Sequence, residues 1–246
     1  MQKKQKMLLS NLFLRSFRTD WDKVPSHSFL HSIPAIRSQD EFSFQNPVTF
    51  FVGENGSGKS TLIEALAVAY GFNAEGGTLN YTFSTYAESH DLAAALHLTK
   101  GISRPQAGYF FRAESFFNVA TAAEQIYGKK YGGERLHHQS HGESFLAFFQ
   151  EFTNRRGLYL MDEPEAALSP QRQLTLLLII AEMAKNGSQF IIATHSPILL
   201  GLPGADIFSF SNGTISPVSY EETESYQITK MFLENRERLL TELFEE

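Results

Sequence analysis

The chain has 246 residues, a formal net charge of −6 and no cysteine. This length accommodates one large α/β domain or two small domains, and the absence of cysteine excludes disulfides and thiolate metal sites. The net negative charge argues against a surface built mainly to neutralise a nucleic-acid backbone. No apolar run is long enough to cross a bilayer and the N-terminal residues make a poor secretory signal, so we expect a cytoplasmic protein.

A glycine-rich loop follows several strands that we predict over residues 8–52. Apolar and β-branched residues at 48–52 predict a buried strand, and helix-forming residues at 62–70, followed by Gly71, predict a helix. The pattern G-x-x-x-x-G-K-[ST] between them is formed by Gly53, Glu54, Asn55, Gly56, Ser57, Gly58, Lys59, Ser60 and Thr61. Such a loop directs backbone N–H groups and a helix N-terminus at phosphate oxygens, so it predicts nucleotide binding.

The rest of the chain alternates between predicted strands and helices. Residues 92–98 fit either a helix or a strand. We expect strands at 109–112, 158–161 and 189–193, a hairpin at 207–215 with an Asn-Gly turn, and helices at 115–127, 145–152, 171–185 and the C-terminus. This order predicts an α/β fold with a mostly parallel core sheet and an antiparallel portion near the start.

Two carboxylates follow the strand predicted at 158–161. In open α/β sheets, ligands bind beside the carboxyl ends of the strands, which is where Asp162 and Glu163 fall. A Mg²⁺ ion takes oxygen ligands and suits Asp162 together with the Ser60 hydroxyl. Glu163 is then placed to polarise the attacking water. The alternative for this pair is an acidic turn after a strand.

Two further motifs point to the same edge of the sheet. Ser140 and Glu143 fit the S-x-x-E capping box, so a helix N-terminus that favours anions is expected there. His195 follows the strand predicted at 189–193, from which it can reach a γ-phosphate. A plain helix cap and a structural histidine are the respective alternatives.

In this order the motifs resemble those of the ATP-binding-cassette ATPases, over residues 33–210. Residues 139–143 resemble the family signature L-S-G-G-Q in a divergent form, with His141 for the first glycine and Glu143 for the glutamine. The glutamate is shared with the chromosome-maintenance and DNA-repair branch. Residues 167–169 resemble the family's dimer-contacting loop. The chain also resembles small stand-alone bacterial ATPases that join a Ser-Ile-Pro-Ala-Ile stretch to a Gly-Glu-Asn-Gly phosphate loop.

The resemblance implies a P-loop NTPase fold in one ABC-type ATPase domain over 1–246, with a short helical signature subdomain over 113–157 and a C-terminal helix over 221–246. It implies ATP and Mg²⁺ as ligands and an ATP-dependent head-to-tail homodimer. In such a dimer Lys59 neutralises the β- and γ-phosphates and His195 contacts the γ-phosphate. Ser140 and Gly142 bind the nucleotide in trans. An aromatic side chain ahead of the phosphate loop stacks on the adenine, with Phe29 and Phe42 as candidates.

Three functions remain open at this stage. The first is an ATPase whose dimerisation acts on a protein or nucleic-acid partner. The second is the nucleotide-binding subunit of a membrane transporter, which requires a separate membrane-spanning chain. The third is a small-molecule kinase on the same phosphate loop, against which the signature and the Asp162–Glu163 pair argue.

Overall fold

The computed structural model describes residues 12–79, 91–112 and 154–244, together with Leu146 and Phe149. The strands are β1 (Leu14–Thr19), β2 (Glu41–Ser43), β3 (Val48–Val52), β4 (Gly77–Thr78), β5 (Leu96–Lys100), β6 (Ala107–Arg112), β7 (Gly157–Asp162), β8 (Gln189–Ala193), β9 (Asp206–Ser211) and β10 (Thr214–Pro217). The α-helices are α1 (Pro34–Arg37), α2 (Lys59–Tyr70), α3 (Asp91–Ala95), α4 (Pro170–Lys185), α5 (Pro197–Leu200), α6 (Glu224–Glu234) and α7 (Arg236–Phe244). Short 3₁₀ helices lie at Trp21–Lys23, Phe29–Ser32, Pro164–Ala167 and Tyr220–Glu222.

Within the described part of the chain, the larger sheet has seven strands in the order β10-β9-β3-β8-β7-β6-β4. Its five central strands, β9 to β6, run parallel, and the two edge strands β10 and β4 pair antiparallel. Strand β8 lies between β3 and β7, although it follows both in the chain. The carboxyl ends of β3, β7 and β8 therefore meet at one edge of the sheet, where the predicted site residues follow each strand.

A smaller antiparallel sheet, in the order β2-β1-β5, accounts for the antiparallel portion expected near the start. Residues 92–98, which fitted either helix or strand, divide between the end of α3 and the beginning of β5. The two sheets together confirm the predicted α/β fold with a mostly parallel core sheet.

The central strands are buried on both faces. In β7, Leu158 and Leu160 pack into one hydrophobic cluster, which also contains the inner face of α2 and the small sheet. Tyr159 and Met161 point to the other face, where they join a cluster that includes residues of α4. Strands of a parallel sheet read as continuous apolar runs because both of their faces are covered, as the sequence indicated for 158–161.

The buried side chain of Gln189, at the start of β8, joins the two sheets. Its Oε1 accepts hydrogen bonds from the backbone N–H groups of Phe13 and Leu14, at 2.9 and 2.8 Å. Its Nε2 donates to the Leu14 carbonyl at 2.7 Å. One amide thus makes hydrogen bonds to three main-chain groups at the beginning of β1. Water cannot replace these bonds, because the Gln189 side chain is only 1 % exposed.

We expect Gln189→Met to lower the free energy of unfolding by about 3 kcal/mol, because two N–H groups and one carbonyl lose their partners in a buried site. Methionine keeps the approximate length and volume of the side chain, so loss of packing contributes little. Urea denaturation followed by circular dichroism measures the change. Gln227→Met, at an exposed position of α6, is the matched control. A loss below about 1 kcal/mol at Gln189 would show that the amide contributes little.

The hairpin of β9 and β10 has the predicted Asn-Gly turn, in which Asn212 and Gly213 both have positive φ, at 51° and 73°. The C-terminal segment differs from the single predicted helix: α6 and α7 are separate helices with Asn235 between them. At that residue φ is −129°, which departs from helical backbone. The helix predicted at 115–127 and most of the proposed signature subdomain at 113–157 lie outside the described residues.

Candidate nucleotide-binding site

The phosphate loop connects β3 to the first turn of α2, as predicted. Gly58 occupies the N-cap of α2 with φ 102°, in the left-handed region that side chains with a Cβ disfavour. A Cβ there would lie 2.6 Å from Cγ2 of Ile33, which belongs to the segment just before α1. This position therefore requires glycine both for its backbone conformation and for its contact with Ile33.

The Lys59 side chain lies inside the phosphate loop and is only 4 % exposed. Its Nζ donates hydrogen bonds to the carbonyls of Gly53 and Glu54, at 2.7 and 2.8 Å. Burial lowers the pKa of Lys59, and the nearby carboxylates of Glu163 and Asp162 oppose that shift. The loop thus holds an ammonium group that retains one further N–H donor for a ligand.

Ser60 and Asp162 lie in contact although 102 positions separate them in the chain. The Ser60 hydroxyl donates a hydrogen bond of 2.9 Å to Oδ1 of Asp162. Burial raises the pKa of Asp162 to about 6, partly offset by the Ser60 hydrogen bond. One hydroxyl and one carboxylate, the donor set predicted for Mg²⁺, are therefore adjacent beside the phosphate loop.

Glu163 adopts a left-handed backbone conformation, with φ 50°, at the point where the chain leaves β7. A non-glycine residue in this region is uncommon, and such strain is often found at functional sites. Its backbone N–H donates to the Ala193 carbonyl at 3.0 Å, which fixes the residue against the end of β8. Its side chain is partly exposed and free to meet a ligand.

His195 lies beside Glu163, with 3.9 Å between its Nε2 and Oε1 of the glutamate. Its backbone N–H donates a 2.6 Å hydrogen bond to Oε1 of Glu165. Burial raises the pKa of Glu165, and this hydrogen bond opposes part of that rise. Among the described residues, His195 Nε2 has no hydrogen-bond partner although it is shielded from solvent. The His195 segment is thus held through its backbone N–H, and the ring Nε2 lies near Glu163 without a hydrogen-bond partner among the described residues.

A cavity of about 560 Å³ opens beside the phosphate loop. Its walls are the loop residues 53–57, the pair Thr194 and His195, residues 209–212 of the β9–β10 hairpin, Val218, and residues 222–225 at the start of α6. Its volume falls in the range of small-molecule sites. Space for a ligand therefore adjoins both the loop backbone and the histidine.

Five predicted residues meet at this edge of the sheet: Lys59, Ser60, Asp162, Glu163 and His195. Ser140, His141 and Gly142 lie outside the described residues.

Of the two residues suggested for stacking on adenine, Phe42 belongs to the core. It is buried, and its ring stacks on Phe17 with 5.5 Å between the centroids. The alternation that makes β2 recognisable as a strand also directs Phe42 inward. Phe29 is 62 % exposed and stays a candidate.

Two polar residues of the site were missed by the sequence interpretation, Glu165 and Gln173. Each contacts the segment around His195 from a distant part of the chain. The only sequence signal for Glu165 is its place directly after Glu163-Pro164. The sequence gives no indication of a role for Gln173, because a glutamine at this position is typical of a solvent-facing helix surface.

The α/β fold and these residues together define a P-loop domain, in which a glycine-rich loop leads into a helix that begins at a buried lysine. The model of the AAA domain family matches residues 28–175, a range that contains the phosphate loop and the Asp162–Glu163 pair. That match covers more than half of the chain, which therefore belongs to the AAA domain family.

The solved structures similar to this chain include an SMC head domain and an ATP-binding cassette. The SMC head domain from Thermotoga maritima is 16% identical, over 85% of this chain and 99% of that chain, with a TM-score of 0.44. A nucleotide-free ATP-binding cassette from an ABC transporter is 17% identical, over 88% of this chain and 94% of that chain, with a TM-score of 0.45. No curated protein matches the chain significantly. In the described part of the chain, no helix is long and apolar enough to span a membrane.

Proposed function

We propose that this protein binds MgATP, hydrolyses it to ADP and phosphate, and forms a head-to-tail homodimer while ATP is bound. One observation carries the proposal. A phosphate loop with a buried lysine, a hydroxyl–carboxylate pair, a strained glutamate and a histidine come together from β3, β7 and β8 at a single edge of the sheet. These are the groups that phosphoryl transfer to water requires.

The phosphate loop and Lys59 bind the triphosphate. The backbone N–H groups of the loop and the N-terminus of α2 can donate hydrogen bonds to phosphate oxygens, and the Lys59 ammonium adds a positive charge beside them. The two carbonyl contacts of Lys59 are the ones that phosphate oxygens replace. Because the ammonium is already desolvated, it interacts strongly with phosphate once the nucleotide binds.

Ser60 and Asp162 fit a magnesium ion. Their oxygens are in hydrogen-bond contact, and Mg²⁺ prefers a hydroxyl and one or two carboxylates together with water and phosphate. The ion, when bound, neutralises charge on the phosphate oxygens. The buried Asp162 carboxyl, which accepts the Ser60 hydroxyl hydrogen bond, would be stabilised as a carboxylate by a cation at this position.

Glu163 accepts a hydrogen bond from the attacking water and His195 contacts the γ-phosphate. The 3.9 Å between them leaves both groups close enough to meet the same water and phosphate. Catalysis then comes from positioning and charge stabilisation rather than from covalent chemistry. Ser140 and Gly142 complete the site in trans, as the resemblance implies, so that release of the γ-phosphate opens the dimer.

The dimer's opening and closing acts on a protein or nucleic-acid partner. Phosphate release by the purified wild-type protein tests the reaction, measured with MgATP in multiple turnovers. Transfer of phosphate to a small acceptor, without free phosphate, would contradict hydrolysis and support the kinase alternative. Co-purification with a membrane-spanning chain would support the transporter alternative.

The nature of the partner is tested by adding duplex DNA to the same assay. Stimulation of turnover at 50 mM salt that is lost at 200 mM salt would identify a nucleic-acid partner, because counterion release makes such binding strongly salt-dependent. Turnover that duplex DNA leaves unchanged at both salt concentrations would exclude duplex DNA as the partner.

A further inference from the structure

The side chain of Gln173, in the first turn of α4, connects two segments that border the site. Its Oε1 accepts a hydrogen bond from the Ser196 hydroxyl at 2.6 Å. Its Nε2 donates to the Leu168 carbonyl at 3.1 Å. Ser196 follows His195 directly, and Leu168 lies in the 167–169 loop that leads into α4. One amide thus spans from this loop to the neighbour of the histidine.

Hydrogen-bond chemistry fixes the direction of this bridge. The Ser196 hydroxyl accepts from the backbone N–H groups of Ile198 and Leu199, at 3.2 and 3.1 Å, as the N-cap of α5. Both of its acceptor positions are then used, so it can only donate to Gln173. The Leu168 carbonyl can only accept. The Gln173 amide can therefore adopt only one orientation, with Oε1 toward Ser196 and Nε2 toward Leu168.

A second bond reinforces the same connection. Glu165 accepts the His195 backbone N–H through its side chain, and its own carbonyl accepts the Leu168 N–H at 2.9 Å. The histidine segment is thus attached to the 165–168 stretch at two points, through Glu165 and through Gln173. A displacement of Leu168 cannot leave Ser196 in place without breaking a hydrogen bond.

We propose that Gln173 is a positioning residue that makes the 167–169 loop and His195 move together. The inference rests on the proposed ATP-dependent dimer, in which the 167–169 loop meets the other subunit. Closure of the dimer at this loop then sets the position of the imidazole at the γ-phosphate. Turnover is thereby restricted to the closed dimer.

Two substitutions separate the ends of the bridge. Gln173→Glu keeps an acceptor for the Ser196 hydroxyl but places a carboxylate oxygen against the Leu168 carbonyl, so it breaks only the loop end. Gln173→Met keeps the length of the side chain and breaks both ends. Gln171→Met, at an exposed position two residues earlier in α4, is the matched control.

Hydrogen–deuterium exchange of the protein without nucleotide tests the physical connection. In Gln173→Met we expect amides of 166–169 and 195–199 to exchange about tenfold faster, because local opening of both segments becomes easier. In Gln173→Glu only 166–169 should change, and Gln171→Met should match the wild type. Unchanged exchange in Gln173→Met would contradict the bridge itself.

A double-mutant cycle with His195→Ala tests whether Gln173 acts through the histidine. Both Gln173 variants should lower kcat for MgATP about tenfold or more, with KM within about twofold of the wild type, because a misplaced catalytic group loses rate rather than binding. In the His195→Ala background, measured in single turnovers, the same substitutions should change the rate by less than about twofold.

Two kinetic outcomes would also overturn the proposal. Additive losses in the cycle would mean that Gln173 acts independently of His195, and wild-type kcat in Gln173→Glu would mean that the loop end has no role. A wild-type protein that releases no phosphate would instead contradict the proposed function. The exchange experiment needs no nucleotide and therefore separates the two failures.

Discussion

Glu163→Gln protein should bind MgATP at least as tightly as the wild type and hydrolyse it at least about a hundredfold more slowly. Glutamine has the shape of glutamate but carries no negative charge, so it cannot draw a proton from the attacking water. The substitution leaves the fold intact, because glutamine meets the same conformational demand at φ 50° and the site lies at the edge of the sheet.

The same substitution should trap an ATP-bound dimer. Removing one negative charge near the triphosphate strengthens ATP binding, and without hydrolysis the γ-phosphate contacts persist. Size-exclusion chromatography with light scattering should show the 27.7 kDa monomer without nucleotide and twice that mass with MgATP.

Glu182→Gln, at an exposed position of α4, is the matched control and should hydrolyse ATP at the wild-type rate. Full turnover by Glu163→Gln would remove this residue from the catalytic role. A slow variant that stays monomeric with MgATP would contradict the dimer while leaving the hydrolytic role in place.

Lys59→Ala should abolish ATP binding, with the dissociation constant raised at least about a hundredfold. The estimate follows from losing charge-assisted contacts to two phosphates, each worth about 1.5–3 kcal/mol. The effect is large because the ammonium is buried inside the loop and no neighbouring cation is placed to replace it among the described residues. Isothermal titration calorimetry with MgATP measures the affinity.

Lys185→Ala, at an exposed position in the last turn of α4, removes the same charge away from the site and should bind ATP normally. Thermal unfolding of both variants checks that the phosphate loop still folds after Lys59 loses its contacts to the Gly53 and Glu54 carbonyls. Micromolar affinity retained by a folded Lys59→Ala protein would contradict the proposed site.

Much of the site was predictable because its parts are short contiguous patterns. The phosphate loop lies between a strand and a helix that the sequence indicates strongly, so Lys59 and Ser60 could be placed at the start of α2. Asp162 and His195 each follow a run of apolar residues. In a parallel sheet such runs end at the same edge, which is sufficient to predict that these side chains lie near one another.

The less predictable features depend on which strands are neighbours. Strand β8 lies between β3 and β7, an order that chain position does not reveal. That order sets the Ser60–Asp162 contact and the 3.9 Å between Glu163 and His195. The same strand order places Ala193, at the end of β8, where its carbonyl accepts the backbone N–H of Glu163.

The sequence by itself determined the class of fold, the phosphate loop and the identity of the charged residues that we propose to face a triphosphate, because each is encoded over a few consecutive positions. Only the tertiary structure revealed which groups Gln173, Glu165 and Gln189 hydrogen-bond. An amide or carboxylate on a polar surface pattern has no preferred partner until folding brings distant backbone groups within hydrogen-bond distance. The same packing decided against Phe42 as a ligand contact, since its strand turns the ring into the core.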